Sequence, residues 1–321
     1  MKGTRCMLTL AAASFDVGLF FQQVENGITL GAMYALVALG YTLVYGIIEL
    51  INFAHGDVFM WSTVVILAVV QAMGLNQPLT GLALVGILLL LIVIGMVVSA
   101  TINVSIERIA YRRLRTAPRL APLIAAIGAS FVLENVAQLW RGAGSTSFPG
   151  LFPSGGLRIG GVSIDFLDIT IVLLAIGLMI ALDRFIRGTK LGRSMRATAQ
   201  DPEAAALMGV NIDRTISMTF LIGGALAGAA GVFYSLYVGQ VWFFTGFQLG
   251  LIAFTAAVLG GIGNIYGAVL GGFLIGLIQS IAIQYIPSGV AWSDATVFAI
   301  LVLILVFRPS GLLGQQVPNK V

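Results

Sequence analysis

The run Asp201-Pro202-Glu203-Ala204-Ala205-Ala206-Leu207-Met208-Gly209 has the residue types of a short helix with specified ends. Asp201 is a good N-cap, and Pro202 suits the first helical position, where no N–H is needed. Glu203 complements the positive helix end, and Gly209 can take the left-handed conformation beyond the last turn. A helix this short does not persist alone in water. Its stability must come from what it packs against, which makes it a docking element for a soluble partner. Two further sites place polar chemistry in apolar surroundings. His55, the single histidine, lies in Asn52-Phe53-Ala54-His55-Gly56-Asp57, close to Glu49. Gly56 can break a helix, so the segment is either a plain interhelical turn or a bend at membrane depth beside a water-filled path. Glu134 sits inside an apolar run, where a charge costs about 2.5–3.5 kcal/mol on insertion scales. It is expected to face Asn135, Gln138 or another helix's polar group, as part of a path or as a static pair. No nucleophile, acid and base constellation occurs, Cys6 is alone, and no Cys/His cluster could hold a metal.

These residues are carried by an apolar chain. Of 321 residues, 59% are hydrophobic and only 9% charged, against about a quarter in soluble globules. The expected class is all-α, a polytopic transmembrane bundle of about eight to ten spans. A hydrocarbon core needs roughly 20 apolar residues per helix. Nine runs fit, near 26–48, 58–76, 80–106, 120–140, 164–182, 215–238, 245–262, 265–286 and 294–308. Residues 215–293 carry no Asp, Glu, Lys, Arg or His, so only Gly, Pro and aromatic residues mark boundaries there.

The charge of +4 is sorted by loop rather than laid along one face, which argues against nucleic acid as a partner. Of the 17 Lys and Arg, five lie between Glu107 and Arg119 and six between Asp183 and Arg214. The positive-inside rule puts both loops in the cytoplasm. Two spans separate them, four more return Arg308 and Lys320 to the same side, and three before them put the N-terminal edge outside. The Asp201–Gly209 run then lies in the largest cytoplasmic connection, about 183–214.

Residues 20–314 are expected to form the transmembrane domain and 315–321 a C-terminal tail. Residues 1–19, with Lys2, Arg5 and Ala11-Ala12-Ala13, read as a signal, an extra short helix or a start-site extension. The outer loop from Arg141 to Gly161 is rich in Gly, Pro and Ser. With Phe148, Leu151 and Phe152 as exposed apolar candidates, it is either a hairpin connection or a docking surface. Gly263, Gly267 and Gly271 are four apart, a small-residue stripe for close helix packing in lipid, with a helix break lining a cavity as the other reading. No GxxxxGK[ST] pattern makes these glycines a phosphate loop. Gly31-Ala32, Tyr41-Thr42-Leu43 and Gly46 recur at one spacing as Gly224-Ala225, Tyr234-Ser235-Leu236 and Gly239. This is the echo of an internal repeat or a coincidence of Gly- and Ala-rich helices.

Several longer motifs resemble the LivH-type permease of bacterial branched-chain amino acid ABC importers. They are Asn26-Gly27-Ile28-Thr29-Leu30-Gly31, Tyr41-Thr42-Leu43-Val44-Tyr45-Gly46-Ile47-Ile48, Ile51-Asn52-Phe53-Ala54-His55-Gly56, and Phe254-Thr255-Ala256-Ala257-Val258-Leu259-Gly260-Gly261-Ile262-Gly263. The resemblance runs from about Phe20 to Gly314. It implies an ABC importer permease fold in a bacterial inner membrane, embedded in lipid. Its implied partners are a LivM-type second permease, two ATP-binding cassette subunits and a periplasmic substrate-binding protein. It implies no cofactor on this chain, with ATP and Mg used by the partner ATPase. Glu203-Ala204-Ala205, with Gly209 four residues later, resembles the EAA loop that such permeases insert into a cleft of the ATPase. Asn52, His55 and Glu134 become candidates for the translocation path. Rival expectations are a urea or short-amide importer of the same type, an ion-coupled carrier working alone, and a membrane scaffold without transport.

Overall fold

The computed structural model describes residues 16–314 apart from 116, 119 and 160. The sequence readings on 1–15, Arg119 and 315–321 lie outside the described residues. The chain is a helical bundle. Asp16 caps α1 (Val17–Ile48), its Oδ1 accepting from the Gly18 and Leu19 N–H groups. α2 (His55–Ala72) and α3 (Gly81–Ile106) follow; a π-helical turn, Glu107–Tyr111, and the one-turn α4 (Arg112–Leu114) prolong α3. Then come α5 (Leu120–Arg141), β1 (Thr146–Ser147), the hairpin of β2 (Gly156–Ile159) and β3 (Val162–Asp165), and α6 (Phe166–Gly188). α7 (Lys190–Gln200) and α8 (Pro202–Leu207) lead to α9 (Ile212–Val238), β4 (Gln240–Val241), α10 (Thr245–Gly260), α11 (Ile265–Tyr285) and α12 (Gly289–Phe307).

Eight described helices are long and apolar enough to span a bilayer. The ninth expected span, α10, has 16 residues, about 24 Å of rise, and begins inside the bundle. Other boundaries move because helices outlast their apolar runs. α1 starts at Val17 rather than 26, and α12 at Gly289 rather than 294. The two basic loops are largely helical. Arg108, Arg112 and Arg113 ride on the prolongation of α3, and Arg184 and Arg187 on the end of α6. Helical rotation continues past the hydrocarbon edge because long Arg stems reach water from there.

α1 and α9 are the most buried spans, while α12 and most of α3, α5 and α6 expose apolar side chains to lipid. Their neighbours map onto each other. α1 packs on α11 as α9 packs on α3, and α10 packs on α1 as α2 packs on α9. α2 touches α3 as α10 touches α11, and α5 sits on α2 as α12 sits on α10. The echoed glycines hold matching places: a Cβ on Gly31 would meet Phe273 Cα of α11, and one on Gly224 would meet the Ser99 carbonyl of α3. α1 is the first crossing and α9 the sixth, so the two halves run oppositely through the membrane. The repeat is thus an inverted one, of the kind found in transporters.

The outer loop differs from expectation. Phe148 and Leu151 are buried, not exposed. The Phe148 N–H donates to the Gly239 carbonyl (2.9 Å), Leu79 N–H to the Leu151 carbonyl (2.8 Å), and β1 pairs with β4. The loop is folded down on the bundle by a partner far away in sequence.

Candidate functional site

α8 has the ends its residues call for. Asp201 Oδ1 accepts from the Glu203 N–H (3.0 Å) and the Ala204 N–H (2.9 Å), with Pro202 at the first position. At the other end the Val210 N–H donates to the Ala205 carbonyl and the Gly209 N–H to the Ala206 carbonyl, both 3.0 Å. Gly209 has φ +85°, so the helix closes as a Schellman motif, which a side chain at that position would strain. Of α8, only Ala205 turns inward, while Leu207 and Met208 are 89% and 86% exposed. Among the described residues, nothing covers these two large apolar side chains.

α8 is braced. Thr189 caps α7 through the Gly192 N–H (3.0 Å), and the Arg196 guanidinium donates to the Ile186 carbonyl at the end of α6. Beyond α8, Asn211 caps α9 through the Arg214 N–H (2.9 Å). One turn later α9 meets an ionic cluster that the sequence reading treated only as topology. Glu107 is fully buried; Arg115 donates to its Oε1, Arg112 lies 3.5 Å away, and Ser217 Oγ donates to its Oε2 at 2.6 Å. Arg115 also pairs with Asp213 of the first turn of α9 at 2.5 Å. The root of α9 is therefore tied to the C-terminal end of α3.

The expected cluster of Glu49, Asn52, His55 and Asp57 is divided. Glu49, with φ 51°, ends α1 and points out. Asn52 Nδ2 donates to Asn103 Oδ1 (3.1 Å), whose own amide donates to the Phe220 carbonyl (2.6 Å). His55 is fully buried, edge-on to Tyr41 with ring centres 4.7 Å apart, and a Cβ on Gly40 would strike it. Gly40 lies about two turns before α1 ends. Residues 49–54 therefore fold back along α1, and α2 begins inside the bundle.

α10 mirrors this. A Cβ on Gly246 would lie 2.7 Å from Asp57 Oδ1 and 2.8 Å from Met60 Cβ, so the first turns of α2 and α10 meet. Irregular backbone at such depth is tolerated only where protein covers it or a cavity adjoins it. Glu134, also buried, faces α2 rather than Asn135 or Gln138. It lies close enough to Asp57 for the two carboxylates to feel each other; Asp57 accepts from Ser130 Oγ, while Asn135 turns back to the Phe131 carbonyl (2.7 Å).

The glycine stripe is split too. Cβ atoms on Gly267 and Gly271 would strike the Gly260 and Ala256 carbonyls of α10. Gly263, with φ +92°, lies outside the helix in the α10–α11 turn, and a Cβ there would meet open space. The reading also passed over Asp294, the one charged residue between Arg214 and Arg308. Its isolation in that charge-free stretch was the available signal.

Comparison with known proteins matches residues 23–305 to the family described as branched-chain amino acid transport system, permease component. The chain is 42% identical over 312 residues, 94% of it and 98% of the relative, to the high-affinity branched-chain amino acid transport system permease protein LivH of Escherichia coli (strain K12). It is 40% identical over 310 residues, again 94% and 98%, to the corresponding permease protein BraD of Pseudomonas aeruginosa. A probable LivH of Methanocaldococcus jannaschii is 27% identical over 303 residues, 91% of each chain. With the match running through both inverted halves and nearly the whole length of these relatives, the chain belongs to the branched-chain amino acid transport permease family.

Proposed function

We propose that this chain is the membrane permease subunit of an ABC importer that brings branched-chain amino acids, Leu, Ile and Val, across a bacterial inner membrane. The observation that carries the reading is the 40–42% identity over 94% of the chain to permeases named for that transport. In this reading the chain works with a LivM-type second permease, two ATP-binding cassette subunits and a periplasmic binding protein, and ATP with its Mg is used by the cassette subunits. Asp201, Pro202, Glu203, Ala204, Ala205 and Gly209 form the EAA-type peg, with Leu207 and Met208 seated in the ATPase cleft.

Closure of the ATPases on ATP then moves α8. Because α8 leads directly into α9, and α9 is tied to α3 through Glu107, Arg115, Asp213 and Ser217, the displacement reaches both halves of the inverted repeat as a rigid-body motion. Asn52, His55 and Glu134 stand where the inward starts of α2 and α10 meet their neighbours, and they are the residues we assign to the region that opens.

The test is uptake into proteoliposomes by the assembled complex. ATP-dependent accumulation of labelled leucine, but not urea, is expected. Urea as the imported solute would replace the substrate, and gradient-driven uptake by this chain alone without ATP would overturn the reading.

A further inference from the structure

A cavity of about 420 Å³ opens where α9 ends and α10 begins, lined by Ser145, Tyr234, Val238, Trp242, Thr245 and Gln248 among others. It faces the outside, because α9 crosses from the cytoplasm and its C-terminal end forms the rim. Its floor is the first turn of α10, which starts inside the bundle. Pockets of this size take a single small molecule.

Behind the floor stands Asp294 of α12. Gln248 Nε2 donates to Asp294 Oδ2 at 2.6 Å, and Gln279 Nε2 donates to Asp294 Oδ1 at 3.3 Å. Gln279 Oε1 in turn accepts from Tyr34 OH at 2.6 Å. A polar chain thus crosses from α1 through α11 and α12 to α10, and Gln279 and Tyr34 are buried within it. Asp294 is the only charged residue of the last three spans, and because a carboxylate there is costly, one that persists is a candidate for function. Its hydrogen bond has a directional result. With its NH2 engaged by Asp294, the Gln248 amide turns its oxygen away from that carboxylate, and Gln248 itself lines the cavity.

We propose that this outer cavity is the entry site at which the permease receives a small zwitterion with an apolar side chain, and that Asp294 positions Gln248 to accept its ammonium. The inference rests on the importer reading and names the residues that would read its substrate. The Gln248 carbonyl, backed by the Asp294 charge, takes the ammonium. The hydroxyls of Tyr234 and Thr245 offer donors to the carboxylate, and Val238 with Trp242 covers the side chain.

The test uses the assembled importer without its binding protein. Ser145, at the exposed edge of the cavity, is changed to cysteine in a Cys6→Ser background, and alkylation of this chain by a charged maleimide is timed. Millimolar leucine is expected to slow alkylation, and 4-methylpentanoate, which lacks the ammonium, is expected not to. Gln248→Ala, a change at an exposed residue, and Asp294→Asn should each weaken leucine protection by about tenfold, the scale of a lost charge-assisted hydrogen bond. Equal protection by both compounds, no protection in the parent, or full protection in both variants would overturn the site. Uptake of leucine by the parent complex once its binding protein is added back separates that failure from failure of the importer reading.

Discussion

Glu107 shows how one residue can join parts of the chain that composition alone keeps apart. Its carboxylate is fully buried and meets Arg115, Arg112 and Ser217. Removing that carboxylate leaves the partly buried Arg115 without its counter-charge and the Ser217 hydroxyl without its acceptor, a loss of about 1–3 kcal/mol. Glu107→Ala should therefore lower the thermal midpoint of the purified complex sharply. Asp213→Ala removes the outer, 58% exposed partner of Arg115 and should cost less than about 1 kcal/mol. Similar losses in the two variants, read by thermal unfolding, would mean that burial of Glu107 is not what makes the cluster matter. From sequence, Glu107 and the arginines beside it could be used only for topology, because a charge excess in one loop needs no knowledge of contacts. Their pairing with Ser217 and Asp213 was out of reach, since nothing local in the chain announces a partner so distant. Glu134 is the same case: its burial could be argued from its apolar run, but its neighbour Asp57 depends on how α2 enters the bundle.

At the scale of elements, glycine decides where helices can approach. A Cβ on Gly276 would strike Gly31 and Gly27 backbone atoms of α1, while one on Gly177 of α6 would meet open space. Gly276→Val should accordingly abolish assembly of the permease, and Gly177→Ala should leave it intact with up to about 1 kcal/mol of added helix stability. Membrane expression and size-exclusion profiles of the two variants check this, and a stable Gly276→Val protein would contradict the packing. Helix existence was legible in the nine apolar runs, and the caps of α8 were legible residue by residue. The inward starts of α2 and α10 were only half legible. Gly56 and the polar residues around it allowed a bend, but the fold-back of 49–54 onto Gly40 is set by packing with α1. For α8 itself, Gly209→Val places a branched side chain at φ +85°, a cost of about 1–2 kcal/mol on an element that has little stability of its own. In the proposed role, this variant and Glu203→Lys should both lose leucine uptake while inserting normally into the membrane. Normal uptake in both would count against the peg.

At the scale of the molecule, two oppositely directed halves share a core of α1, α2, α9 and α10, and α8 joins that core at the root of α9. The short echo between Gly31 and Gly224 was the visible trace of this symmetry, too weak alone to exclude chance and decisive once both glycines occupy matching helix contacts. A repeat of this kind lets one half rock against the other about a fixed centre. The account assigns the drive for that motion to a partner, received through Leu207 and Met208, which are exposed here. The most direct measurement places a photo-crosslinking amino acid at position 207 of the functional complex and follows its adducts through the ATP cycle. The account predicts a crosslink to the ATP-binding subunit in every state, with a yield that changes when ATP binds. A complex that imports leucine at the full rate yet gives no crosslink from this position to any ATP-binding subunit would contradict it.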